Sequence, residues 1–261
     1  MSETLNLALR WIHVFAAILW IGQTYLFTWL DRRFETAEEE DPKQVWMVHS
    51  GGFYVVEKRS RPDFARRLNW FRWEAALTWL SGLGLLIVVY YAGGLMVDPG
   101  SELTSPRAIA LGIALLPIGW IVYDLLWSSP LGRNEAVGAT ISFALIVALA
   151  FVLTHLLSSR AAYMHVGAVL GTLMAANVWV RILPAQRQMI AATREGRTPD
   201  ASLAARAKGR SKHNTFMVIP VVFIMLSSHF PVSTYGHRFN WAILGGLTLV
   251  GWVAARIMRR H

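Results

Sequence analysis

Seven stretches without Asp, Glu, Lys or Arg punctuate the chain, at 11–30, 75–97, 108–123 (continuing past Asp124 to 127), 136–159, 161–180, 213–237 and 239–255. A helix rising 1.5 Å per residue needs roughly 20 apolar residues to cross a hydrocarbon core of about 30 Å, and each stretch meets or approaches that length. The apolar residues run continuously, whereas strands of a membrane barrel alternate over about 10 residues. The pattern predicts an all-α polytopic membrane protein with seven transmembrane helices in a single domain, 1–261. Flanking helical residues complete the last, shortest stretch, whose Trp241 and Trp252 suit the two interfaces.

The polar positions set the orientation. With the N-terminus outside, 21 of the 25 Lys and Arg residues fall on the cytoplasmic side, and Arg10, Arg107, Arg160 and Arg238 remain outside. The positive-inside rule therefore predicts an outside N-terminus and a cytoplasmic C-terminus. Glu3 before the first run and the Asp31-Arg32-Arg33 stop after it predict a retained segment and not a cleaved signal. Two cytoplasmic loops are long, at 31–70 and 184–211. The first carries the acidic run Glu38, Glu39, Glu40 and Asp41, and the second reads as a basic helical connector near the headgroups.

Composition agrees with this and narrows the chemistry. Hydrophobic residues make up 54% of the chain and charged residues 16%, against about 25% in soluble domains. The net charge of +9 is accounted for by topology, so no nucleic-acid partner is needed to explain it. The absence of cysteine excludes disulfides, thiolate metal ligation, a cysteine nucleophile and covalently attached c-type haem.

In the predicted topology four histidines from four spans reach a similar outer depth: His13, His155, His165 and His229, with His237 in the loop above. Ionisable groups within a bilayer mark functional sites by default. This layer points to a b-type haem held by two axial imidazoles, with Arg10, Arg160 and Arg238 at the rim for the propionates. Copper or zinc on the same imidazoles is the alternative, and the pairing of ligands stays open. Gly167 and Gly171 give the fifth span a small-residue spacing that permits close helix approach.

The inner face carries other chemistry. His49 precedes Gly51 and Gly52 in a turn whose backbone N–H groups suit an anion or a planar ligand. Lys212, His213 and Asn214 open the sixth span, where unpaired helix N–H groups favour negative charge. Arg72, Glu74, Asp124, Asn177 and Arg181 stand at the same level, and interface anchoring with salt bridging is the plain alternative for them. Asp124 stands out because it interrupts an apolar run.

Long blocks of this sequence resemble the membrane domain of bacterial membrane-bound urate oxidase: WIHVFAAILWIG, VHSGGFYVVEK, FRWEAALTWLSG, RAAYMHVGAVLGTLMAANVWVRILPAQR and SKHNTFMVIPVVFIMLSSHFP. The resemblance implies an inner-membrane protein that oxidises urate toward 5-hydroxyisourate and passes electrons to a cytochrome c. His13, His49, His165, His213, Asn214 and His229 fall inside these blocks. Family members continue into a further span and a cytochrome c domain, and this chain contains neither that domain nor any cysteine. The combined expectation has three parts. Outer haem is held by the four histidines. At the inner site His49, His213 and Asp124 are catalytic, and Lys212, Asn214, Gly51 and Gly52 bind a planar anion such as urate beside Phe53 or Tyr54. Electrons leave to cytochrome c or a respiratory complex. The rival expectation is a non-enzymatic accessory subunit of a respiratory or photosynthetic complex.

Overall fold

The computed structural model describes residues 3–36, 43–59 and 61–259; the acidic run at 38–41, Arg260 and His261 lie outside the described residues. Helix α1 (Glu3–Thr36) is followed by an antiparallel hairpin of β1 (Lys43–His49) and β2 (Gly52–Lys58). Next come α2 (Trp73–Leu85), which widens into a π-helical turn at Leu86–Tyr91, then α3 (Ser105–Ser128) and a single turn, α4 (Pro130–Arg133). Helices α5 (Glu135–Leu156) and α6 (Ser159–Ala176) follow, and α6 passes through a second π-helical segment, Asn177–Ile182, into α7 (Leu183–Arg194). The described chain closes with α8 (Ala201–Ser227) and α9 (Asn240–Met258).

Among the described residues six helices are long and apolar enough to cross a membrane: Glu3–Glu35, Trp73–Tyr91, Ser105–Ser128, Glu135–Leu156, Ser159–Arg194 and Asn240–Met258. The protein is an all-α membrane protein, with strand confined to the 31–70 loop. The stretch expected at 213–237 differs from the rest. Its helix, α8, ends at Ser227, and residues 228–239 turn around Pro231. The uninterrupted apolar part of α8, from Phe216 to Leu226, is only about 16 Å long, so its N-terminal half enters the fold as polar helix. The connector expected to begin at 184 is continuous with the fifth span. The π-helical turn just before Pro184 relaxes the carbonyl register that the proline ring would otherwise clash with.

Helix α6 lies at the centre. In its most apolar window 61% of residues are buried, against 6% for α1, and it packs on α2, α3, α5 and α8. Small residues make this possible: a Cβ on Gly167 would stand 2.8 Å from Ile224 Cγ2, so α6 and α8 touch there nearly backbone to side chain. Gly171, the other half of the expected spacing, meets nothing within 4 Å. Helix α1 packs chiefly on α2 and turns Trp11, Phe15 and Ile18 outward, as lipid contact requires. Asn134 caps α5 through Ala136 N–H and Val137 N–H, and Asp200 caps α8 through Ser202 N–H. Hydrogen bonds from the Ser202 hydroxyl and N–H hold the Asp200 carboxyl below its ordinary range.

Candidate functional site

Polar side chains gather where the C-terminal half of α3, the π-helical turn after α6 and the polar half of α8 meet. Asp124 lies between two guanidinium groups. Arg181 reaches both of its carboxylate oxygens, through Nε at 2.9 Å and through Nη2, and Arg210 Nη2 donates to Oδ1 at 2.8 Å. The Arg210 side chain is only 6% exposed, and its guanidinium lies 4.9 Å from the centre of the Tyr123 ring. Two cations on one carboxylate leave the group with a net charge of +1, in a place where water screens it weakly.

A second set of bonds runs from the same tyrosine. Asn177, fully buried, donates through Nδ2 to Tyr123 Oη at 3.0 Å and to Asn214 Oδ1 at 2.9 Å, and Asn214 Nδ2 donates to Met174 O at 3.1 Å. Tyr123 Oη stands 2.7 Å from His213 Nδ1. Because the tyrosine accepts from Asn177, its own proton goes to His213 Nδ1, and neutral His213 then carries its proton on Nε2. Two buried atoms of this network have no partner: Asn177 Oδ1, an acceptor, and Arg210 Nη1, a donor. Unpaired buried polar atoms cost about 1–3 kcal/mol each, so a ligand that offers an N–H and an anionic oxygen is favoured here.

The structure thus brings Asp124, His213 and Asn214 into one network. Lys212 precedes His213 but pairs elsewhere, with Nζ 2.7 and 2.8 Å from the carboxylate oxygens of Glu135. His49, Gly51 and Gly52 do not join. They form the hairpin tip, where His49 is exposed and its Nδ1 lies 2.7 Å from Ser50 Oγ. Phe53 and Tyr54 are likewise exposed on the hairpin. Among the described residues no hydrogen bond or ring contact links that tip to the Asp124 network. Arg72 and Glu74 do not bridge: Arg72 Nε and Glu74 Oε2 are buried without a partner, and the Arg72 guanidinium lies over the Trp73 ring.

The outer histidines are dispersed. His13 lies between α1 and α2, its Nδ1 donating to Thr78 O at 2.9 Å, with Ser81 Oγ 3.2 Å away. His165 is fully buried on α6; Nδ1 donates to Ala161 O, while Nε2 faces Tyr91 Oη at 3.3 Å and the backbone of α3 at Gly112. His155 is exposed beside Phe151, and His229 and His237 are exposed in the turn before α9. Arg10 is exposed and bonds Asn6, Arg238 covers the Phe239 ring, and Arg160 Nε is buried without a partner. Among the described residues no three His, Asp or Glu side chains come close enough to hold a metal ion. A haem on His165 does not fit this arrangement. His165, the most buried, is closed off by Tyr91 and by Gly112, where a Cβ would stand only 2.6 Å from its Nε2.

Two residues central to the network escape sequence reasoning. Tyr123 reads as an ordinary aromatic in an apolar run, and Arg210 as one more cation of a headgroup-facing connector. A signal exists for both: Tyr123 adjoins Asp124, and Arg210 stands four residues before Asn214, on the same face of α8.

No curated protein and no solved structure gives a match to this chain. The description Urate oxidase N-terminal, by contrast, fits residues 1–261, every position from first to last. The chain therefore belongs to the urate oxidase N-terminal family.

Proposed function

We propose that the Asp124–Arg210–Asn177 network binds urate and that the chain is the membrane part of an oxidase that withdraws two electrons from it. The observation that carries this reading is the pairing of a partly buried +1 cluster with one unpaired buried donor, Arg210 Nη1, and one unpaired buried acceptor, Asn177 Oδ1. Urate at neutral pH is a planar monoanion with carbonyl oxygens and ring N–H groups. Its anionic edge suits the guanidinium and an N–H suits the amide oxygen, while Tyr123 offers a hydroxyl poised to exchange protons with His213. The electrons pass to an acceptor outside the network. A cytochrome c or a respiratory complex is the partner that the resemblance implies.

The same reading takes the chain as seven spans of a bacterial inner membrane with the N-terminus outside. The geometry of α8 supports the seventh crossing. Its polar half meets Asp124, and the segment after it leads to Asn240, which bonds Ser159 and Tyr163 at the opposite end of the bundle.

Equilibrium dialysis of radiolabelled urate against the purified protein in detergent tests the reading. Arg210→Lys keeps the charge but loses the planar fork, and Asn177→Ser removes the amide oxygen. Each is expected to weaken binding by about tenfold, near 1.4 kcal/mol. Failure of the unaltered protein to bind urate would sink the proposal and favour the accessory subunit.

A further inference from the structure

A cavity of about 860 Å³ runs along the membrane face of α3, α5 and α9, floored by α6 and α8. Its walls are apolar along most of their length, with Leu149 and Val166 at the deep end. On α5 it extends from Glu135 to Leu149, roughly 21 Å at 1.5 Å per residue. Ile118, Leu145 and Val253 both line it and are exposed, so its mouth faces lipid. The charged side chains gather at one end. There Lys212 with its partner Glu135, His213, Arg256 and Arg259 reach the wall, and the Trp127 ring lies 4.0 Å from that of His213. A long apolar slot open to the bilayer, with its charged side chains gathered at one end, suits a molecule with a polar ring head and a hydrocarbon tail.

The polar end also adjoins the network described above. Tyr123 lines the cavity, and its hydroxyl bonds both Asn177 on one side and His213 on the other. His213 Nε2–H, the proton left after Nδ1 accepts from Tyr123, is a donor placed at the cavity wall. Oxidation of the urate monoanion releases two electrons and one proton, and an acceptor soluble in the bilayer that takes both electrons, that proton and a second one from solvent suits this chemistry.

We propose that this cavity binds an isoprenoid quinone, head toward His213 and Trp127, and that the quinone is the electron acceptor for the urate site; the second half of the statement rests on the urate reading above. The balance closes. Urate, as its monoanion, gives up two electrons and one proton to form dehydrourate, which takes up water at C5 to give 5-hydroxyisourate. The quinone gains two electrons and two protons at its carbonyl oxygens to give the quinol, one proton coming from urate and the other from solvent at the polar end. Tyr123 and His213 lie between the two sites and carry the urate proton from one to the other, and Lys212 with His213 donates hydrogen bonds to the reduced head.

The test uses decylubiquinone and the purified protein in detergent, read first without urate. Saturable quenching of tryptophan fluorescence is expected, with a component lost in Trp127→Phe, together with a rise in melting temperature. Ala139→Trp and Leu145→Trp, on the cavity wall and away from the network, should each weaken quenching by about tenfold while leaving urate dialysis unchanged. With urate added, one decylubiquinol should form per urate consumed, measured after extraction. Quenching that does not saturate, or that both wall variants leave intact, overturns the quinone site. So does a tightly held phospholipid that decylubiquinone fails to displace, or a haem Soret band that Ala139→Trp removes. If urate dialysis is normal and quinone binds but no quinol forms, the role as acceptor is overturned. If urate fails to bind while quenching behaves as expected, the urate reading falls and the quinone site stands.

Discussion

Asp124 is the residue on which the inner network depends, because among the described residues it is the one carboxylate shared by Arg181 and Arg210. Removing a cation leaves the carboxylate paired with the other one. Removing the carboxylate leaves two cations facing each other in a weakly solvated place, the costlier error. Asp124→Asn should therefore lower the melting temperature of the detergent-solubilised protein most, corresponding to a loss of about 3 kcal/mol. Arg181→Gln should cost less, about 1 kcal/mol, since the Arg181 side chain is 30% exposed and the pair is partly screened. Equal losses in the two variants would show that the carboxylate is not the shared centre. Asp124 was legible in the sequence for the same physical reason: a charge inside an apolar run must find a partner. Its partners were only half legible. Arg181 ends an apolar run and attracts notice, but Arg210 lies in a basic segment whose composition matches a headgroup-facing helix equally well. Burial of one cation among several is decided by which face of α8 meets α3, and no local pattern reports that.

At the scale of elements, legibility followed the continuity of apolar residues. Six of the expected spans appear as helices because a chain in hydrocarbon satisfies its backbone only by local hydrogen bonds, whatever the neighbours. Helix α8 read less well because half of it is polar and gains its place by packing. The outer histidines illustrate a related point: equal depth does not mean equal direction, and His155 and His229 are exposed while the bundle encloses His165. The loop at 31–70 hid a hairpin. Its β1 and β2 pair in register from Lys43 with Lys58 to His49 with Gly52, and Val45 packs on Leu30 and Phe34 of α1. The HSGG sequence read as a ligand-binding turn, yet its composition is explained by the backbone. Ser50 and Gly51 have φ of 50° and 76°, the paired left-handed positions of a two-residue hairpin loop. Ser50→Asn, which tolerates that conformation better, should tighten the hairpin, and Gly51→Ala should loosen it by about 1 kcal/mol. Hydrogen exchange of the strand amides read by mass spectrometry reports both. Unchanged protection in the two variants would contradict a turn governed by these angles.

For the whole molecule, the proposed seven-span topology with its 21 cytoplasmic cations turns on the path of α8. The polar network of Asp124, Asn177 and Asn214 and the contacts of Asn240 with Ser159 and Tyr163 lie at opposite ends of α6, and α8 runs from the first to the second. If α8 crosses, the turn at 228–239 is outside together with the loop between α2 and α3. If it does not, that turn lies inside with the loop at 195–200. Because the chain has no cysteine, single substitutions give an unambiguous label. Glu102→Cys, Thr198→Cys and Arg238→Cys are all at exposed positions. Treated with a membrane-impermeant maleimide in intact spheroplasts, Glu102→Cys and Arg238→Cys should react, and Thr198→Cys only after permeabilisation. Protection of Arg238→Cys with labelling of Glu102→Cys would reduce the count to six, and protection of Glu102→Cys with labelling of Thr198→Cys would invert the orientation. Under the expected result the Asp124 network draws its substrate from the cytoplasm, because it lies at the end of α6 that leads through α7 to the loop carrying Thr198. The same result puts the polar end of the lipid-facing cavity in the cytoplasmic leaflet.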